Sequence, residues 1–388
     1  MLRPLSGGSP WDEPVGACGC EVWACSTSNE IDTSRFILYP LSTSRAGRLL
    51  VPVDFSCLSS RAVRRVRIVK AAVYYETGPP EVLRYEDVPD PECHEGFVLV
   101  EVEAISIEGG DTLNRGRGEM TAIPHIVGYQ CAGTIREVGA GVTDRQVGQR
   151  VVATFMSGSH AELFSIPSVV TWPVPDGADI VAVACVPVAW GTADDCLFEF
   201  GHLQAGETVL VQAGAGGVGL AAIQLAKRAG ATVFATASSP ERLERIAPFG
   251  VDHGIDYSQD GWVDEVRALT SGRGVNLVVD SVGGKILAGS IACLAYRGRC
   301  ITVGSAGRDP SPIDVSVLGM GNQSLTGVFL GAEIATDRAY NNIQRLMNDV
   351  AKGELKVVID KTFPLSEAAA AHAYIESRKA VGRVLLIP

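Results

Sequence analysis

Residues 207–237 read ETVLVQAGAGGVGLAAIQLAKRAGATVFATA, and their order decides the fold of this chain. Val209 to Val211 form a short apolar run of the kind found in buried parallel strands. Gly214, Gly216, Gly217 and Gly219 follow. Leu220 to Ala229 then carry a helical pattern, and Thr232 to Thr236 a second strand. This is a βαβ unit with G-x-G-x-x-G at its first turn. Gly214 is expected to allow the tight turn. Gly216 lets backbone N–H groups approach a pyrophosphate, and Gly219 lets the helix lie close to the strand. The positive helix N-terminus favours the anion. The flanking strand and helix give the motif its specificity. The reading is a dinucleotide site whose loop comprises Gly214, Ala215, Gly216, Gly217, Val218 and Gly219.

Strand and helix alternate outward from this unit. Strands are predicted at Thr208–Val211, Thr232–Thr236, His253–Ile255, Leu277–Asp280, Cys300–Val303 and Ser324–Phe329. Helices are predicted near 217–229, 240–249, 261–270 and 284–296. Six strands with crossover helices predict a doubly wound parallel sheet, giving an α/β fold class. Upstream the pattern is β-rich, with strands predicted at Lys70–Tyr75, Val82–Val88, Phe97–Ile107, Ala132–Val138, Arg150–Thr154 and Ala161–Ile166. It turns helical over Val183–Phe200. Downstream come a helix near 336–352, a strand at Val357–Phe363, a helix at Ser366–Ser377 and a last strand at Arg383–Ile387. These last elements are expected to close the β-rich domain. The boundaries predicted are 69–190 with 331–388 for that domain and 191–330 for the nucleotide-binding domain.

The 388 residues carry a formal net charge of −11, which opposes binding to nucleic acid or an anionic membrane surface. No apolar stretch approaches the roughly 20 residues of a membrane-spanning helix. Ten cysteines are present, but none forms a C-x-x-C pair. Reduced, buried thiols in a cytoplasmic enzyme are the expectation. Residues 1–68 differ from the rest, being rich in Ser, Arg, Pro and Cys and lacking sustained periodicity. They are expected to be a disordered extension, with an ordered start near Val69.

Several motifs in fixed order make residues 69–388 resemble the medium-chain dehydrogenase/reductase superfamily. They begin with Val127-Gly128-Tyr129-Gln130-Cys131-Ala132-Gly133, Val138-Gly139 and Val147-Gly148 with Arg150-Val151. Ala161-Glu162, Pro187 with Thr192-Ala193, and AGAGGVG at 213–219 follow. Asp256-Tyr257, Asp280-Ser281-Val282-Gly283-Gly284 and Gly382-Arg383-Val384 complete them. The branch resembled is that of the zinc-independent, zeta-crystallin-like quinone oxidoreductases. The resemblance implies a GroES-like β domain beside a Rossmann domain, with the site in the cleft between them. It also implies a homo-oligomer, typically a dimer.

Zinc alcohol dehydrogenases of this superfamily carry a G-H-E run where this chain has Gly128-Tyr129-Gln130. The six histidines form no ligand pair at short spacing, so no metal is expected. An NAD site would place Asp or Glu at the end of the second Rossmann strand. Here that strand runs into Ala237-Ser238-Ser239, with Arg242 in the next helical turn, so NADP(H) is expected. The resemblance implies that Arg242, Tyr257 and Arg378 surround the 2′-phosphate, beside Ser238.

Without a metal to polarise it, the acceptor must take hydride readily. Quinones and α,β-unsaturated carbonyls do so by spreading charge over a conjugated carbonyl. The resemblance sets Thr192 at the nicotinamide end of the cleft. Gly304 and Phe329 are expected to bring backbone close to the cofactor. The family often has Asn at the position of Glu108, three residues before the Asp matched by Asp111. A buried Glu108 could hold a raised pKa and donate a proton; turned outward, it would do nothing catalytic. Tyr129 is a second candidate hydrogen-bond donor, with an aromatic packing role as the alternative. Enoyl-thioester reduction, and a catalytically weak NADPH-binding or structural protein, are the competing functions.

Overall fold

The computed structural model describes Ile68–Pro388. The disordered extension expected over 1–68 lies outside the described residues except for Ile68 itself, which begins the first strand. The β-rich part opens with β1 (Ile68–Tyr74), β2 (Arg84–Pro89) and β3 (Phe97–Ser106), then α1 (Gly109–Arg117). It continues with β4 (His125–Ile126), β5 (Gln130–Val138), β6 (Arg150–Thr154), β7 (Leu163–Pro167) and β8 (Thr171–Pro173). The helices α2 (Ile180–Val183) and α3 (Val186–Asp194) follow, and a π-helical turn over Asp195–Glu199 extends α3.

The α/β part runs β9 (Thr208–Val211), α4 (Gly217–Arg228), β10 (Thr232–Ala237), α5 (Pro240–Ile246), β11 (His253–Asp256), α6 (Trp262–Leu269), β12 (Val275–Asp280), α7 (Gly284–Ala292), β13 (Leu294–Thr302) and β14 (Ser324–Gly327). All its pairings are parallel, in the order β11-β10-β9-β12-β13-β14. The order reverses between β9 and β12, the switch point beyond whose carboxyl ends open α/β sheets bind ligands. This sheet is the predicted one. Helix α7 is shorter than predicted, because β13 already begins at Leu294 with a register shift against β12.

The chain closes with α8 (Leu330–Glu333), α9 (Asp337–Ala351), β15 (Ile359–Pro364), α10 (Ala368–Glu376) and β16 (Arg383–Ile387). Strand β16 pairs antiparallel with β3, setting Leu385 opposite Ser106. The order in that sheet is β15-β16-β3-β5-β6-β8, with β7 also on β3, while β2-β1-β4 form a small separate sheet. The sequence does not reveal α1, β4, β8, α8 or most of α2. Helix α1 has nine residues, GGDTLNRGR, with Leu113 as its one large apolar side chain, so hydrophobic periodicity does not reveal it.

One continuous core joins the two large sheets. Ala189, Trp190 and Ala193 of α3 are buried in it together with Ala221 and Leu225 of α4 and Ile343 and Leu346 of α9. Gly191 keeps that packing close, since a Cβ there would lie 2.9 Å from Leu330 Cδ2. Among the described residues no helix is long and apolar enough to cross a membrane.

Candidate active site and cofactor cleft

The glycine loop leaves β9 at the switch point. Ala213 N–H donates to Thr236 Oγ1 (3.1 Å) and Gly214 N–H to Thr236 O (2.8 Å), pinning the loop to β10. The left-handed residue of the turn is Ala213, with φ 51°, rather than Gly214. Gly214 is required for closeness instead: a Cβ there would stand 3.0 Å from Ile246 Cδ1 and 3.1 Å from Ala235 Cβ. At Gly219 a Cβ would lie 2.3 Å from Ala213 O, so only glycine lets α4 start this near the loop. Gly216 caps α4, and a Cβ there would meet only Ala213 O, at 3.3 Å. Backbone at Gly216 is therefore open to an approaching anion, while Ala215 is buried and Val218 half-buried. This cradle fits a dinucleotide pyrophosphate.

The end of β10 carries a second polar cluster. Ser239 caps α5 by accepting from Arg242 N–H (3.4 Å). The Arg242 guanidinium donates from Nη2 to Ala380 O (3.0 Å), while its Nε and Nη1 are buried without a partner. Burial lowers its pKa, and the like charges of Arg245 and Arg378 act in the same direction; Tyr257 and Asp360 oppose them. Arg242, Tyr257 and Arg378 thus stand close enough to feel one another. Ser238 is half-buried just before the cap. Buried donors without partners are rare and call for an acceptor. A 2′-phosphate supplies three acceptor oxygens.

The third part lies where β3 meets β16 and α1. Glu108 is turned inward and only 3% exposed. Its Oε1 accepts from Ser106 Oγ (3.1 Å), from Gln130 Nε2 (3.1 Å) and from Arg383 Nη2 in a close ion pair. Arg383 also donates to Ser106 Oγ from Nη2 (2.6 Å) and to Ile107 O (2.9 Å). Burial lifts the Glu108 carboxyl above its ordinary value; the Arg383 guanidinium and the Ser106 hydroxyl favour the charged form and hold that rise back. Gln130 is fixed at both ends, donating to Ala184 O (2.7 Å) and accepting from Val188 N–H (2.7 Å). Asp111 Oδ2 accepts from Glu108 N–H (2.8 Å), which starts α1, and burial pushes this carboxyl well above the usual range.

Tyr129 is half-buried, and its ring and hydroxyl cover Gly110: a Cβ on that glycine would lie 2.6 Å from the hydroxyl. Burial, reinforced by Asp111 and Glu108, pushes its pKa well above 10.0, so the phenol stays protonated and able to donate. Thr192 is half-buried on α3. Gly304 is exposed just past β13, and Phe329 is 74% exposed at the start of α8.

The structure therefore clusters the sequence candidates into three groups: the glycine loop, the Arg242 corner, and Glu108 with Tyr129. Sequence reasoning missed Arg383, Ser106 and Gln130 as partners of Glu108. In the sequence, Arg383 and Gln130 stand out only as parts of motifs. It also missed Glu376 of α10, which accepts from Arg115 (2.5 Å) and from Arg308 in the loop after β13 (2.7 Å). No spacing signal joins residues so distant in the chain.

Residues 94–176 match the model of the alcohol dehydrogenase GroES-like domain, and residues 217–350 match that of the zinc-binding dehydrogenase. A 2-haloacrylate reductase from Burkholderia is 33% identical over 336 residues, covering 83% of this chain and 99% of that protein. A quinone oxidoreductase from Pseudomonas aeruginosa is 33% identical over 315 residues, covering 80% and 97%. Among solved structures, the Escherichia coli quinone oxidoreductase complexed with NADPH superposes with a TM-score of 0.78 at 28% identity, covering 82% of this chain and all of that one. The fold and cleft define a medium-chain dehydrogenase/reductase. The chain belongs to the quinone-oxidoreductase branch of that superfamily and is an oxidoreductase.

The zinc in the name of one matching model does not fit the donors present here. Tyr129 and Gln130 stand at the ligand-bearing run, both amide ends of Gln130 are engaged, and Glu108 is paired with Arg383. Among the described residues no group of three or more His, Cys, Asp or Glu could hold a metal ion.

Proposed function

We propose that this protein uses NADPH to reduce quinones or α,β-unsaturated carbonyl compounds without a metal. The observation that carries the reading is the Arg242 corner: two buried guanidinium nitrogens without acceptors, beside Tyr257 and Arg378, where β10 runs into Ser238 and Ser239 rather than an acid and the nearby Asp360 is already bonded to Arg245 and Tyr374. The names of the relatives support the acceptor class, since 2-haloacrylates and quinones both have a carbon–carbon double bond conjugated to a carbonyl.

When bound, NADPH supplies a hydride from its reduced nicotinamide. The chain does the rest. Residues Gly214 to Gly219 and the N-terminus of α4 hold the pyrophosphate. Ser238, Arg242, Tyr257 and Arg378 hold the 2′-phosphate. Thr192, Gly304 and the exposed Phe329 frame the nicotinamide end. Tyr129 donates a hydrogen bond from a protonated phenol to the acceptor oxygen, where negative charge develops. Glu108 fixes the wall beneath it. In this reading residues 69–190 with 331–388 form the GroES-like catalytic domain and 191–330 the nucleotide domain. The protein assembles as a dimer, and β14, the outer strand of its sheet, offers an unpaired edge.

Loss of NADPH absorbance with a benzoquinone, an alkenal and an enoyl-CoA tests the proposal. Turnover with the quinone or the alkenal is expected. Turnover with the enoyl-CoA alone would replace it by thioester reduction. Tight NADPH binding with no turnover of any acceptor would make the protein a binder.

A further inference from the structure

Arg383 touches both halves of the cleft. The residue is buried, and its hydrogen bonds to the described residues leave from Nε and Nη2, toward Ser106, Ile107 O and Glu108. Nη1 turns the other way. A Cβ placed on Gly217 would lie 2.2 Å from that nitrogen, so the guanidinium rests directly against the first residue of α4. The same cation therefore pairs with a buried carboxylate on one side and faces the anion cradle of the glycine loop on the other. Pairing of β16 with β3 creates the arrangement by bringing residue 383 beside residues 106–108.

We propose that Arg383 is a positioning residue that transmits nucleotide binding to Glu108: a pyrophosphate at the α4 N-terminus shares the guanidinium, and Glu108 takes up a proton as the nucleotide binds. The inference rests on the nucleotide reading given above and adds to it a coupling between the two ends of the cleft. Its physical basis is charge balance in a buried place. Glu108 is held ionised by one cation. A second anion drawn to that cation weakens its hold and repels the carboxylate, and both effects favour the neutral acid. Asp111 from α1, Tyr129 from the turn before β5, and Cys185 between α2 and α3 are the other titratable groups around the pair. Burial lifts all three, which favours their neutral forms, and none of them can carry positive charge; Cys185 is pushed up to about 11. Arg383 alone balances Glu108.

The test measures protons rather than turnover. NADH is the probe, because it carries the pyrophosphate without the 2′-phosphate, which titrates by itself. Calorimetric titration of the full chain in PIPES and in Tris, whose ionisation enthalpies differ, gives the protons taken up on binding. Wild type is expected to take up a substantial fraction of one proton. Glu108→Gln is expected to bind NADH without that uptake, and Asp111→Asn to retain it. An uptake unchanged in Glu108→Gln, or zero uptake by wild type, overturns the coupling while leaving the nucleotide reading intact. Absence of both NADH and NADPH binding overturns the nucleotide reading and the coupling with it. Should Glu108→Gln fail to fold, the pH dependence of NADH affinity in wild type decides. Affinity should rise as pH falls, by up to about tenfold for each unit by which binding lifts Glu108. A flat dependence overturns the proposal.

Discussion

The Arg242 corner and the Glu108 pocket are both built around an arginine with buried nitrogens, yet they are finished differently. Arg242 has one protein acceptor, Ala380 O, and two buried nitrogens with none. Arg383 is bound by a carboxylate, a hydroxyl and a carbonyl. Unsatisfied donors cost stability until a ligand arrives, whereas a satisfied ion pair holds its surroundings in place without one. The first arginine waits for a ligand to satisfy it; the second is anchored in the cleft before any ligand arrives.

Truncating each arginine should separate the two cases. Arg383→Met leaves the Glu108 carboxylate buried without its cation, which should cost about 3–5 kcal/mol in urea denaturation. The double variant Glu108→Gln/Arg383→Met should recover most of it. A loss below about 1 kcal/mol in the single variant would mean that the pair is not the anchor described. Arg242→Met, by contrast, should leave stability unchanged or slightly raised. It should raise KM for NADPH about 10–100-fold, the worth of one or two charge-assisted hydrogen bonds, with kcat little altered. An unchanged KM would remove Arg242 from the phosphate site.

A third buried pair governs how stability depends on pH. His160 and His372 meet Nε2 to Nε2 at 3.1 Å, and both Nδ1 atoms are buried without partners. Burial depresses both pKa values, that of His160 to about 3. The unfolded chain therefore binds more protons than the folded one as pH falls below 6.5, the ordinary value. Stability is full above that pH and declines toward the depressed folded values, by up to about 1.4 kcal/mol per pH unit for each histidine. Urea titrations at several pH values should show this decline, and His372→Asn should flatten it. An equal slope in the variant would assign the acid sensitivity elsewhere.

Much of this molecule was legible in the sequence because its signals are local. The loop at 213–219 declares itself by glycine spacing, and β9, β16 and β6 appear at their predicted bounds because short apolar runs between turn residues mark them. The Arg242 corner was readable for the same reason, since Ser238, Ser239 and Arg242 are neighbours in sequence. Partners that meet only through folding were hidden. Arg383 lies 275 residues from Glu108, and strand pairing alone brings them together. Helix α1 was hidden too, because what starts it is a carboxylate, Asp111, bonded back to the Glu108 amide, and its Gly-rich sequence shows no apolar stripe. The turn conformation assigned to Gly214 belongs to Ala213, because the close packing of Ile246 and Ala235 sets the need at residue 214.

The most direct test of the account is a pair of dissociation constants, for NADPH and NADH, measured by fluorescence titration of the wild-type chain under one set of conditions. The orphaned donors of Arg242 predict that NADPH binds at least about tenfold more tightly, and more if several of those charge-assisted bonds form. Equal affinities, or a preference for NADH, would contradict it.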